Sequence, residues 1–198
     1  MNGITFQRGQ GGLGRKAPGE DHVSALLFYI NETISPPTGT TFIALERLDD
    51  ATQYGISITK TPVVYYHIAE FFRIAPSSKL LVRVVNELQP SIKDVCIPNL
   101  FSELKEMQQQ SKGIIRQVGV WLGHQDQVKI KELNDACEEL AAQNMPLSAV
   151  VAYKIDSTKL DTITDLGANS YPRVSVCIAQ DGGGLGAYLQ KNAESLKP

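Results

Sequence analysis

The stretch TPVVYYHIAEFFRIAPSSKLLVRVV, residues 61–85, decides the fold. Thr61 and Pro62 make a helix start, with threonine at the N-cap and proline at the first helical position, where an N–H is not needed. Val64, Ile68, Phe71 and Phe72 then recur at helical spacing until Pro76 ends the pattern, and LLVRVV reads as a strand. A helix leading directly into an apolar strand is the unit of a parallel sheet, because a parallel crossover needs a connection of helix length.

The same alternation extends in both directions. Upstream, SALLFYI (24–30) is a continuous apolar run of strand length, closed by Ser35-Pro36-Pro37-Thr38-Gly39. A second strand is expected at residues 40–45, and a helical turn within 48–58. Downstream, residues 99–110 read as a polar helix starting near Ser102, and 114–122 as a strand. Val128, Ile130, Leu133, Cys137 and Leu140 give a helix over 127–144 one apolar face. Strands follow at 147–155 and 173–180, with a short helix expected at 159–164 between them. The fold class that results is α/β, a mostly parallel sheet with helices on both faces, its crossovers right-handed. Residues 1–20, carrying Gly9, Gly11, Gly12, Gly14 and Gly19 around the short apolar run Ile4–Phe6, read as an extended Gly-rich N-terminal arm on an α/β body of residues 21–198.

Composition narrows the function classes. Nineteen basic and twenty-one acidic residues give a formal charge of -2, so no polycationic field gathers phosphates across a face, and nucleic acid is not an expected partner. No apolar run reaches the length of a membrane span, so membrane insertion is not expected, and synthesis in the cytoplasm is. The three cysteines, Cys96, Cys137 and Cys177, lack CxxC spacing and read as buried free thiols, with Cys177 hidden in mid-strand.

Motif chemistry is sparse. RVSVCIAQDGGGLGA, residues 173–187, fits a dinucleotide fingerprint as Gly182-x-Gly184-x-x-Ala187, with Asp181, Gly182, Gly184 and Gly186 the cofactor-binding candidates. That fingerprint belongs to the first strand of its unit and requires an acidic residue on a second strand roughly 20 positions later, which the chain does not supply. A turn serving backbone geometry is the favoured reading, and no cofactor is expected. The N-terminal glycines fail Walker spacing, because Arg15 and Ala17 stand where lysine and serine or threonine are needed. His124, Asp126, Asp156 and Asp181 all follow strands, where a ligand-binding edge would form. Capping of turns is the simpler account of them, and the favoured one. His67 reads as a structural histidine, no metal site is expected, and no residue is nominated as catalytic.

Three segments carry a resemblance: GITFQRGQGGLGRKAPGEDHVSALLFY (3–29), VVYYHIAEFFRIAPSSKLLVRVV (63–85) and LGANSYPRVSVCIAQDGGGLGAYL (166–189). Together the chain resembles the N-terminal part of the tail sheath-like proteins of Mu-like prophages, whose members continue beyond the last segment into more α/β structure. The resemblance implies a structural, non-enzymatic subunit that stacks helically with copies of itself around a tail tube protein and ends up in the phage tail. It also implies an arm that adds a strand to a neighbour's sheet. By position, Ile4, Thr5, Phe6 and the run Ala25, Leu26, Leu27, Phe28, Tyr29 are the subunit-contact candidates. The alternative is a small nucleotide- or cofactor-binding α/β enzyme using the Gly182–Gly186 turn.

Overall fold

The structure, a computed structural model, describes residues 23–86, 98–122, 127–152 and 170–177. Among these residues six strands form one sheet: β1 (Val23–Tyr29), β2 (Ile43–Leu45), β3 (Leu80–Val85), β4 (Ile115–Leu122), β5 (Ser148–Ala152) and β6 (Val174–Cys177). Their order is β2-β3-β1-β4-β5-β6, with every pairing parallel except that of the short edge strand β2 with β3. Leaving β2 aside, this is the doubly wound arrangement: the chain first steps from β1 to β3, then crosses back over β1 to β4 and continues outward.

Among the described residues there are three helices, α1 (Pro62–Ile74), α2 (Ser102–Gln110) and α3 (Gln127–Ala142), with a 3-10 helix at Leu48–Tyr54. Helices cover both faces, as expected. Val64, Ile68 and Phe72 of α1 recur every four residues and pack on Phe28, Leu80 and Val82. On the opposite face, Leu104 and Met107 of α2 and Ile130, Leu133, Cys137 and Leu140 of α3 pack on Ala25, Leu27, Val118, Val120 and Val151. Residues two apart on a strand share a face, so β1 splits its side chains between the two cores. A register shift at Val23/Ser24 skips Arg116, an extra residue in β4 that keeps Ile115 inward together with Val118 and Val120.

Several expectations change. Val128 is 61 % exposed rather than part of the α3 core face. It precedes Ile130 by two residues, which places it about 200° around the helix. Cys177 is exposed near the carboxyl end of an outer strand, so the hidden mid-strand reading does not hold, whereas Cys137 is buried. The helix expected at 159–164 and the Gly-rich N-terminal arm lie outside the described residues. Among the described residues no helix is long and apolar enough to cross a membrane.

Candidate functional site

In a doubly wound sheet, ligands bind beyond the carboxyl ends of the strands, where the chain reverses direction. Here that point lies between β1 and β4, beyond Tyr29 and Leu122. The amino end of α1 faces this edge, and a helix amino end, with its unpaired N–H groups, attracts anions. The position is filled by the protein itself. Val63 N–H donates to Glu32 Oε1 at 3.1 Å and Val64 N–H donates to Glu32 Oε2 at 3.2 Å. Thr61, the expected cap, turns away: its hydroxyl donates to the Ser57 carbonyl at 3.3 Å and accepts the Ser57 N–H at 3.1 Å. Burial lifts the Glu32 carboxyl above its ordinary value, while the two amide bonds pull it down by less.

The polar groups beside it are also engaged within the fold. Tyr29 donates its hydroxyl to Glu103 Oε2 at 2.9 Å. Arg83, 9 % exposed on β3, donates to the Glu103 carbonyl at 2.8 Å and to Glu106 Oε2 at 2.7 Å. Burial first, then the Glu103 carboxylate, holds the Tyr29 hydroxyl far above its ordinary value, so it remains a proton-bearing donor. These contacts clamp the first turn of α2 to the sheet. Phe101, fully buried and edge-on to Tyr29 at 5.7 Å between ring centroids, adds an apolar anchor beneath the same turn. Leu100 and Phe101 adopt left-handed backbone conformations with φ of 50° and 51°. For non-glycine residues that conformation costs about 1–2 kcal/mol each, which burial of Phe101 offsets.

A second feature lies on the α1 side of the sheet. An apolar cavity of about 170 Å³ opens between α1 and the outer strands, lined by Leu26, Phe28, His67, Gly119, Trp121 and Val150 among others. The His67 ring lies 5.0 Å from Trp121, 5.6 Å from Tyr66 and 5.7 Å from Phe28, centroid to centroid, which places it in an aromatic cluster. A Cβ at Gly119 would meet Leu26 Cδ2 at 2.9 Å, so the glycine lets the Leu26 side chain pack closely on β4.

Ile4, Thr5, Phe6, Asp181, Gly182, Gly184 and Gly186 lie outside the described residues, as do His124, Asp126 and Asp156. Among the described residues, no three His, Cys, Asp or Glu side chains come together as a metal site would require. Ala25, Leu26, Leu27, Phe28 and Tyr29 need a correction. They form the central strand, hydrogen-bonded to β3 on one side and β4 on the other. With both backbone edges used, this run cannot add to a neighbour's sheet without the domain opening, so it leaves the set of contact candidates. Glu32 and the Tyr29–Glu103–Arg83 cluster were missed because their partners lie 20 to 74 residues away in the chain.

These features define a doubly wound α/β domain whose helix-terminus anion position holds one of its own carboxylates. Comparison with protein-family models finds no match for the chain, and comparison with curated proteins finds none.

Proposed function

We propose that this chain is a structural subunit of a phage-type contractile tail sheath, assembling helically with copies of itself around an inner tube protein and performing no catalysis. The observation that carries this reading is the three-segment resemblance spread along the chain, from the glycine-rich arm to the DGGGLGAYL segment. The α/β body agrees with it. The Glu32 cap also supports it, because a phosphate at the α1 amino end would have to displace a bound carboxylate.

Ile4–Phe6 is the donor-strand candidate kept in this reading, since β1 has both edges paired. Among the described residues β6 ends the sheet, pairing with β5 on one side, and in this reading a strand added to its other side extends the sheet. Such a contact joins unlike surfaces and does not close, which produces open helical polymers.

The test is light scattering and negative-stain microscopy of the chain, and of the longest natural reading frame containing it, each with and without residues 1–20. Tubes or open polymers that vanish on deletion support the proposal. A strict monomer or closed dimer in every case overturns it.

The doubly wound strand order also favours a second reading, a small-molecule site using the Gly182–Gly186 turn. Thermal-shift measurements against nucleotides and flavins address it, because a ligand at about 100 times its dissociation constant adds roughly 2.7 kcal/mol of stability. Absence of any shift removes that reading.

A further inference from the structure

The helix α2 sits between two strained joints. Seven of the described residues have a positive φ, and four of them form adjacent pairs at the ends of this one helix. Leu100 and Phe101 precede it at 50° and 51°, and Lys112 and Gly113 follow it at 57° and 72°. Three of these four carry side chains, for which the left-handed region is unfavourable. At the far joint Gly113 N–H donates to the Gln108 carbonyl at 2.8 Å and Lys112 N–H to the Gln109 carbonyl at 2.9 Å. That pattern is the helix ending in which glycine usually occupies the place Lys112 takes here. Leu100 is 60 % exposed, so its own burial does not offset its conformation. Residues in such conformations persist only where the surrounding contacts hold them.

The contacts that hold α2 are largely polar. Within the helix Leu104, Met107 and Gln108 are buried, whereas α3 buries Ile130, Leu133, Ala136, Cys137 and Leu140. Tyr29 and Arg83 fasten the first turn of α2 to the sheet, and Gln108 fastens its end to the carbonyls of Ile115 and Met145. Thr41 donates its N–H and its hydroxyl to Gln110 Oε1 at 3.2 and 3.0 Å, and Lys105 pairs with Glu139 of α3. When a polar contact opens to water, bonds to water replace it, so release costs far less than the gross strength of the bond. Apolar burial has no such replacement.

We propose that α2 is a hinged strap that releases from the sheet as one unit, turning at Leu100–Phe101 and at Lys112–Gly113, while β1, β3, β4 and α3 stay folded. Closed, the strap covers Tyr29 and Arg83, which are buried. Open, it carries Phe101, Leu104 and Met107 out of the core and gives those two side chains to water. Release frees the joints from their left-handed conformations, which offsets part of the lost burial. The device does not depend on the sheath reading, and it gives the subunit a second shape short of unfolding.

The experiment is native-state hydrogen exchange of the full chain in rising, sub-denaturing urea, read amide by amide by NMR. Amides 105–111 should exchange through one shared opening, at least about tenfold faster than the core amides of α3. Their urea dependence should be weaker than that of global unfolding, because less surface is exposed. Leu100→Gly and Lys112→Gly favour the closed joints without removing a buried side chain. Each should slow α2 exchange about fivefold, the same factor as for amides that exchange only by global unfolding, because both openings free the joint. The strap is overturned if α2 amides share the rates and urea dependence of α3, which would make one cooperative unit. It is overturned as well if their rates grade inward from the helix ends, which is fraying. Unchanged α2 rates in both glycine variants also overturn it, since the joints then do not turn when α2 exchanges.

Discussion

Glu32, Gln108 and Cys137 each act through groups distant in sequence. Glu32 holds two N–H groups of the first turn of α1, so Glu32→Ala should cost about 1 kcal/mol in chemical denaturation. Its folded carboxyl lies above the unfolded value, so proton uptake favours the folded state. That contribution is full below the ordinary glutamate range and is lost as pH rises through the raised folded value. Glu32→Gln, which cannot ionise but keeps one carbonyl acceptor, should flatten this part of the stability curve and cost less than Ala; an unchanged slope would count against the assignment. Gln108, with no exposed surface, donates to the carbonyls of Ile115 and Met145 at 3.0 and 3.1 Å and accepts from Ile115 N–H at 3.2 Å. It ties the end of α2 to the start of β4 and to the turn after α3. Gln108→Leu strands these buried groups and should cost about 2–3 kcal/mol by urea titration. Burial, partly offset by Arg173, pushes the Cys137 thiol up to about 12. Iodoacetamide should therefore label exposed Cys177 in the native protein and reach Cys137 only on unfolding, with peptide mass mapping as the readout.

At the scale of elements, α2 is the instructive case, because its mean composition is polar and its place depends on specific contacts. Two apolar residues, Leu104 and Met107, face the core, while Arg83 and Tyr29 hold its first turn from the sheet. Arg83→Met keeps most of the stem volume but removes both charge-assisted bonds. We expect a loss of about 1–3 kcal/mol in denaturant, with α2 amides losing hydrogen-exchange protection before those of α3. Equal loss in both helices would show that the clamp does not single out α2. The helices over 62–74 and 127–142 were legible because their apolar residues recur at a fixed helical period, and the strands because their runs are short and β-branched. The source of the α1 cap was not legible. Thr61 is a sound local choice for an N-cap, yet the oxygen atoms come from Glu32 at the end of β1, brought there by the crossover.

On the scale of the whole molecule, the sheath proposal separates folding from assembly. Deleting residues 1–20 should leave the denaturation midpoint within about 0.5 kcal/mol of the full chain, as expected when no core group is removed, while abolishing concentration-dependent scattering. A destabilised monomer would instead make the arm part of the fold. Sequence alone determined the alternation of strand and helix, and with it the α/β class and the parallel sheet, because hydrophobic period and crossover length are local properties. It also marked Cys137 as buried, through the apolar face of its own helix. Which strand lies in the middle was a tertiary decision. SALLFYI reads as a strand anywhere, and only pairing with both β3 and β4 removed it from the surface. The filled anion position and the Tyr29–Glu103–Arg83 clamp likewise arise where distant segments meet, and no local pattern encodes which distant partner a residue will find.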